Sequence, residues 1–312
     1  MAFQTGNSDH LIRSEVWSGQ LKDILEDELQ ATKYVNWLTE FPDGDTFTIP
    51  SVGQATSDDY NEGEAVKYRA MDTGEFQFTI NKYKSAGTYI TDKAKQDSFY
   101  MDQLVSSFVP KQNRAIMTAL EEDIMNLQSQ QTASDLNTIN GAAHRFVASG
   151  TNEVFTTADF AKARYALKKA NVPDTNLVAI VDPSVEYTLN TLTNLTNVSD
   201  NPRWEGIVSD GIATGMKFVK NVYGFDVYTS NYLADANETI DSVTTAAGKA
   251  NLFFSASSDV LPFVGAWRQM PRVESERNKD LQRDEYVTTA RYGVKLFRPE
   301  NLVTILSDTD QV

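Results

Sequence analysis

The chain has 312 residues, with 28 Lys and Arg against 43 Asp and Glu, a formal charge of -15, a hydrophobic share of 41% and no cysteine. Such a length corresponds to about two domains, or one large domain with insertions, and the apolar share is enough for a sizeable core. The missing cysteines exclude a disulfide framework, thiolate-bound zinc and a thiol nucleophile; the negative charge argues against a lysine shell gripping phosphates; and apolar runs such as 260–267 are far shorter than the roughly 20 residues that span a bilayer.

The first residues, Met1-Ala-Phe-Gln-Thr-Gly-Asn7, lack a basic region and an apolar region, so no signal peptide is expected. Residues 14–39 place Val16, Trp17, Leu21, Ile24, Leu25 and Leu29 at helical spacing after a capping Ser14, which predicts an amphipathic N-terminal helix. Asp45–Pro50 alternates with Phe47 and Ile49 on one face, and Glu75–Asn81 alternates with Phe76, Phe78 and Ile80. Two period-two strands separated by the polar stretch 51–74 predict a long hairpin with a large tip. Connections beyond roughly 12–15 residues are generally functional or disordered, so this hairpin is expected to reach outward.

A helical pattern from Asp92 to Gln130 carries Leu104, Phe108, Ile116, Leu120, Ile124 and Leu127, with a kink or break expected at Pro110. A polar linker follows over 128–140. Thr156 or Thr157 then caps a helix holding Phe160, Ala163, Leu167 and Ala170; Asn176–Val181 has the composition of a buried strand; and Pro183 opens a second helix through Val185, Tyr187, Leu189 and Leu192. Residues 218–229 have strand composition, with a bulge or turn at Gly224. The stretch 234–250 is expected to be a surface loop, and 251–255, 263–273, 286–297 and 302–306 to be strands. In 286–297, Tyr286, Thr288, Ala290, Tyr292, Val294 and Leu296 share a face. Helices and strands mixed without regular alternation indicate an α+β chain.

Charge is unevenly spread. Between Asp9 and Glu75 stand 15 acids and 5 bases, and between Arg268 and Arg298 stand 8 bases and 5 acids. Either each end presents a solvated face, or the two meet within the chain or between copies.

Catalytic patterns are sparse. His10 and His144 are far apart, no phosphate-binding glycine loop occurs, and Gly211-Ile-Ala-Thr-Gly215 reads as an ordinary turn. Glu121, Glu122 and Asp123 point in three directions from a helix and are expected to be solvated. The 16 Phe, 13 Tyr and 4 Trp mostly fall at strand or helix periodicity and read as core, with stacking platforms as the lesser alternative. A carbohydrate-binding or hydrolytic enzyme built on those aromatics and paired carboxylates is the reading from another class.

Four segments resemble the major capsid proteins of tailed bacteriophages. They are Phe155–Pro173, with its Asn171-Val-Pro173 turn, followed by Leu177–Ser184; Gly215–Asn231, with the hairpin Tyr223-Gly-Phe-Asp-Val-Tyr-Thr-Ser-Asn231; Val273-Glu-Ser-Glu-Arg277; and Ala290-Arg-Tyr-Gly-Val-Lys-Leu-Phe-Arg-Pro-Glu-Asn301. They stand in family order over most of residues 90–306. The resemblance implies the Hong Kong 97-type phage capsid fold: an N-terminal arm over 1–39, an extended hairpin loop over 40–91, a peripheral domain with a long spine helix over 92–150 and 268–312, and an axial domain over 151–267.

It further implies a structural major capsid protein of a tailed double-stranded DNA phage, self-assembling as hexamers and pentamers into an icosahedral shell. The encapsulin shell, which encloses cargo enzymes, is the alternative on the same fold. Expected partners are further copies of the chain, a separate scaffolding protein, a portal, a possible decoration protein and weakly held DNA, with no membrane. The implied location is the virion, assembled in the host bacterial cytoplasm. No catalytic, cofactor or metal residue is implied. Candidate contacts between copies pair Asp58, Asp59, Glu62 and Glu64 of the hairpin with Arg268, Arg272, Arg277 and Arg283. Some family members crosslink a hairpin lysine; Lys67, Lys82 and Lys84 are present, but no accepting residue is matched, so noncovalent assembly is expected.

Overall fold

A computed structural model describes residues 29–39, 46–52, 57, 59, 62, 63, 65, 73–97, 101–191 and 221–309. Its strands are Val35–Leu38 (β1), Thr46–Val52 (β2), Thr73–Thr79 (β3), Lys82–Thr91 (β4), Arg145–Val147 (β5), Leu177–Val181 (β6), Asn221–Val222 (β7), Phe225–Thr229 (β8), Thr239–Ile240 (β9), Val243–Thr244 (β10), Gly248–Ser255 (β11), Phe263–Asn278 (β12), Arg283–Leu296 (β13) and Val303–Asp308 (β14). Its α-helices are Asp92–Asp97 (α1), Met101–Met125 (α2), Thr157–Lys169 (α3) and Pro183–Thr191 (α4).

A six-stranded sheet, ordered β5-β14-β11-β6-β8-β7, forms one half of the molecule. β6 is apolar throughout, Leu-Val-Ala-Ile-Val, because both of its faces are covered. On one face Leu177, Ala179 and Val181 pack with Phe160, Ala163 and Leu167 of α3 and Val185 and Leu189 of α4. On the other, Val178 and Ile180 join Leu252 and Phe254 against Leu120 and Ile124 near the end of α2. The capping expectation for α3 is met by a reciprocal box: the backbone N–H of Thr156 donates to Asp159 Oδ2 at 2.8 Å while the Thr156 side chain caps the helix.

The second sheet, ordered β1-β12-β13-β4, is laid along the spine helix α2. Residues of β13 paired with β4 share a face, so Thr288, Ala290 and Tyr292 turn toward α2 together with Ala86, Lys84 and Lys82. Gln112 of α2 fixes the register, donating to the Tyr286 carbonyl (3.1 Å) and accepting from the Thr288 hydroxyl (2.9 Å). Helix α2 runs continuously through Pro110 instead of breaking there. The proline is exposed, and the sheet and arm contacts on the helix's later turns offset the missing hydrogen bond.

Three other expectations need correction. The predicted helix over 14–39 lies mostly outside the described residues, but residues 31–34 form one 3-10 turn and 35–38 a strand parallel to β12. Val35 and Trp37 make the local pattern period two, and Trp37 stacks on Trp267 with ring centroids 5.3 Å apart. The stretch 234–250 is not simply a surface loop, since Ala236, Ile240 and Ala250 are buried with Val147 and Leu306. In the polar linker, Gln128 and Gln131 are buried acceptors for Arg145. Arg145 is itself 1% exposed and meets Glu238 through Nε (3.1 Å) and Nη2 (2.6 Å). Burial pushes Glu238 up, but Arg145 and the Ser134 N–H outweigh it and hold the carboxyl below its usual range.

The triplet 121–123 is the largest departure. Only Glu122 is exposed. Glu121 is completely buried and accepts the backbone N–H groups of Gln30 and Ala31, both at 2.8 Å, which caps the 3-10 turn of the arm. Burial pushes its carboxyl up, against those donors and the nearby charge of Arg114. Asp123, on the opposite side of α2, accepts from the Tyr292 hydroxyl (2.8 Å) and pairs with Lys82 (3.3 Å) and Lys84 (3.6 Å).

Two glycines seat the appendages. A Cβ on Gly265 would lie 2.8 Å from the Trp37 ring, and one on Gly293 would lie 2.7 Å from the Thr79 carbonyl oxygen and 3.0 Å from Ile80 Cα. At Gly293 the obstacle is backbone, which cannot step aside cheaply.

Both the buried carboxylate and the close approach at Gly293 can be tested by stability. Glu121→Ala should cost about 2–4 kcal/mol by orphaning two buried N–H groups, whereas Glu121→Gln, which keeps an acceptor and carries no charge, should cost about 1 kcal/mol or less, both read by denaturant unfolding. Gly293→Ala should cost about 1–3 kcal/mol and speed amide exchange in β3, while Gly87→Ala, whose new Cβ would meet the Val287 methyl at 3.6 Å and the Tyr286 carbonyl oxygen at 3.9 Å, both ordinary contacts, should stay within about 1 kcal/mol.

Candidate assembly surfaces

The hairpin forms as its alternation predicts: β2 and β3 pair from Thr46 opposite Thr79 to Val52 opposite Thr73. Its base is tied down. Phe78 and Ile80 are buried with Val264 and Ala266, Phe76 meets Phe297 edge-on at 4.9 Å, and Lys295 donates to the Gln77 carbonyl at 2.7 Å. Farther out, Thr48, Pro50, Gly74 and Glu75 are exposed. A two-stranded ribbon is marginal alone in water, so a ribbon held at its base is built to lean on something else.

Of the hairpin acids, Asp59 and Glu62 are exposed, and Asp58 and Glu64 lie outside the described residues. The four arginines fall on the β12–β13 arm of the second sheet, and most already have acids of this chain beside them. Arg277 forks onto Asp92 (3.0 and 2.7 Å) and touches Asp284 at 3.3 Å, and Lys95 also pairs with Asp284. The Arg277 hydrogen bond holds Asp92 below the usual carboxylate range, and the Lys95 hydrogen bond does the same for Asp284. Arg283 pairs with Glu285 at 2.6 Å and lies 4.5 Å from the centre of the Tyr89 ring. Arg272 is 71% exposed and meets Glu274 at 3.5 Å, and Arg268 is exposed. Among the described residues, Arg272, Arg277 and Arg283 pair with acids of their own sheet and α1, and none pairs with Asp59 or Glu62.

The sheet face turned away from α2 does not figure among the sequence expectations. Strand β4 alternates strictly, and its outer positions Tyr83 and Tyr89 are 65% and 59% exposed. Val287 joins them, while Met270, Val273 and Leu281 extend the exposed apolar side chains along the β12–β13 arm. The signal is present in the sequence as Tyr83-Lys-Ser-Ala-Gly-Thr-Tyr89, period two directly after the hairpin. Among the described residues, β1 pairs with β12 over Phe263–Ala266 and no strand covers that side of β12 beyond it, where bulges around Gln269 and Pro271 interrupt the strand. Bulges, proline and charge discourage indiscriminate strand addition.

His144 is buried, its Nδ1 meets the Ala142 carbonyl at 3.1 Å, and burial depresses its basicity. His10 lies outside the described residues.

These features describe a subunit shaped by its surfaces rather than by a cleft, and comparison with known proteins agrees. A sequence model described as phage capsid protein matches residues 73–305. No curated protein matches the chain in sequence. Among solved structures, a chain from Mycobacterium phage Che8 is similar over 94% of this chain and 97% of its own, at 20% identity and a TM-score of 0.68. The capsid of cyanophage P-SCSP1u is similar over 98% and 95%, at 15% identity and a TM-score of 0.73. The capsid of cyanophage Pam1 is similar over 98% of both chains, at 13% identity and a TM-score of 0.70. At such identities the likeness is one of fold, the α+β Hong Kong 97-type fold. Because the family match covers most of the chain, the chain belongs to the phage capsid protein family and its role is that of a capsid structural protein.

Proposed function

We propose that this chain is the major shell subunit of a tailed double-stranded DNA phage, closing as hexamers and pentamers into an icosahedral head, with no catalytic duty. The observation that carries this reading is the hairpin anchored at Phe78 and Ile80 and exposed beyond them, beside a sheet face bearing Tyr83, Tyr89 and Val287. A ribbon from one copy and an open face on the next bury what neither can bury alone.

The proposed division follows the resemblance: arm to residue 39, hairpin to 91, peripheral domain over 92–150 and 268–312, and axial domain over 151–267. By pairing alone, β4 belongs to the second sheet with β13, and β5 and β14 belong to the six-stranded sheet. Assembly in the host cytoplasm would engage a separate scaffold and a portal, with a decoration protein on the finished virion.

Charge steers the contact. Asp58, Asp59, Glu62 and Glu64 would face the β12–β13 arm of a neighbour, where Arg268 and Arg272 are exposed and where Arg272, Arg277 and Arg283 would have to share their present acids. Expressed alone or with a scaffold and imaged by negative stain, the wild-type chain should give capsomers, shells or tubes, with DNA inside particles from infected cells. A small soluble oligomer with no larger form would overturn the reading. Reversing the four hairpin acids to Lys should reduce shell yield and change its salt dependence; if neither moves, the ionic contact is wrong while the shell role stands.

A further inference from the structure

The second distinctive surface lies on the outer side of α3, across the six-stranded sheet from the spine helix. This helix carries Lys162, Arg164, Lys168 and Lys169, and its one acid, Asp159, is buried in the N-terminal cap. In a chain of net charge -15 such a helix is an exception. Its inner face is fully used by Phe160, Ala163, Ala166 and Leu167, so the cations are confined to the outer one. Arg164 and Lys168 share Asp174, at 2.5 and 2.9 Å, and their hydrogen bonds hold that carboxyl down to about 2. Arg164 also donates to the Tyr223 carbonyl at 3.0 Å, which braces the β7–β8 turn against the helix.

That leaves Lys162, Tyr165 and Lys169, spaced three and four residues apart and therefore in one row. Lys162 and Lys169 are exposed, Tyr165 is 54% exposed, and Lys162 leans on the Phe146 ring at 3.9 Å. At about 1.5 Å per residue the two ammonium groups start roughly 10 Å apart, with a hydroxyl between them.

Resting on the proposed shell role, we infer that this row contacts the phosphate backbone of the enclosed double-stranded DNA. Complementary charge supports the choice, and so does what the surface lacks. Protein interfaces centre on buried anchors in packed pockets. Among the described residues, the exposed large side chains of α3, α4 and the β7–β8 turn are Tyr165, Tyr187 and Tyr223, with no aliphatic side chain among them, whereas the β12–β13 arm offers Met270, Val273, Leu281 and Val287. Long lysines and a hydroxyl on a convex helix suit phosphates, which need donors and no cavity. Binding through so few groups is weak and sequence-independent, so a genome could be packed without being gripped.

The test uses the full-length chain as capsomers or open assemblies, in which both faces are accessible, with linear mixed-sequence duplex DNA as probe and binding measured across a salt series. K162E/K169E should reduce affinity at least tenfold at low salt and flatten the log–log salt slope by about 2, one for each phosphate that is no longer neutralised. K162Q/K169Q should flatten the slope similarly with a smaller drop in affinity, and shell yield should not change. The charge-matched control K93E/K279E should leave DNA binding within about twofold, since pairing with a phosphate is local. Three results would overturn the inference: wild-type capsomers or open assemblies that bind no DNA at low salt, equal effects of the test and control pairs, or loss of shells with DNA binding intact, which would make the row an interface between copies. If the wild-type chain forms no shells or capsomers, the proposed function fails, a result separate from all three.

Discussion

Two carboxylates on the spine helix hold this molecule together. Glu121 and Asp123 are two residues apart and so point to opposite sides of α2. Glu121 holds the arm by two backbone N–H groups, and Asp123 holds the second sheet through Tyr292, Lys82 and Lys84. The helix's apolar positions Leu120 and Ile124 meanwhile pack toward the six-stranded sheet. One turn of helix thus fixes the mutual placement of three substructures. A buried carboxylate is costly without donors around it, so Glu121 depends on the two backbone N–H groups that meet its Oε1. The direction in which the arm enters and the tilt of the sheet are set at the same place.

The appendages depend on that joint. Strand β1 can lie along β12 because Gly265 leaves room for Trp37, and the hairpin can cross the second sheet because Gly293 leaves room for the Thr79 carbonyl. Stacked Trp37 and Trp267, with Tyr292 set edge-on to Trp267 at 5.3 Å, fill the space between. Aromatic packing of this kind is stiff, and stiffness at the base is what allows an exposed ribbon to present itself at a defined angle. The division of labour is physical: a packed joint near residues 120–125 and 263–267, and surfaces beyond it that remain open to other copies.

Much of this is legible in the sequence. Period-two alternation marks β2, β3 and β13, a capping threonine at 156 or 157 marks α3, and Pro183 marks α4, because each signal lies within a few residues. The triplet 121–123 reads as solvated, since nothing local distinguishes an acid facing water from one facing the N–H groups of Gln30 and Ala31. Likewise, 128–140 looks like a linker because Gln128 and Gln131 are polar; their partner, Arg145, becomes buried only when β5 pairs with β14. Among the candidate contacts, the charge asymmetry is visible in the sequence, but the prior engagement of Arg277 with Asp92, 185 residues away, is not.

What the sequence by itself determined is therefore what depends on neighbouring residues: the strand and helix periods, their caps and turns, the absence of thiol chemistry, and the ordered motifs of a phage capsid chain. Tertiary structure alone decided which charges are spent internally and which remain outward. It decided that Glu121 faces the arm, that Arg145 is buried against Glu238, and that the outer row of α3 is left with Lys162, Tyr165 and Lys169. The reason is that ionic and hydrogen-bond partners are selected by register between segments far apart in the chain, and a local pattern carries no information about what will be packed against it.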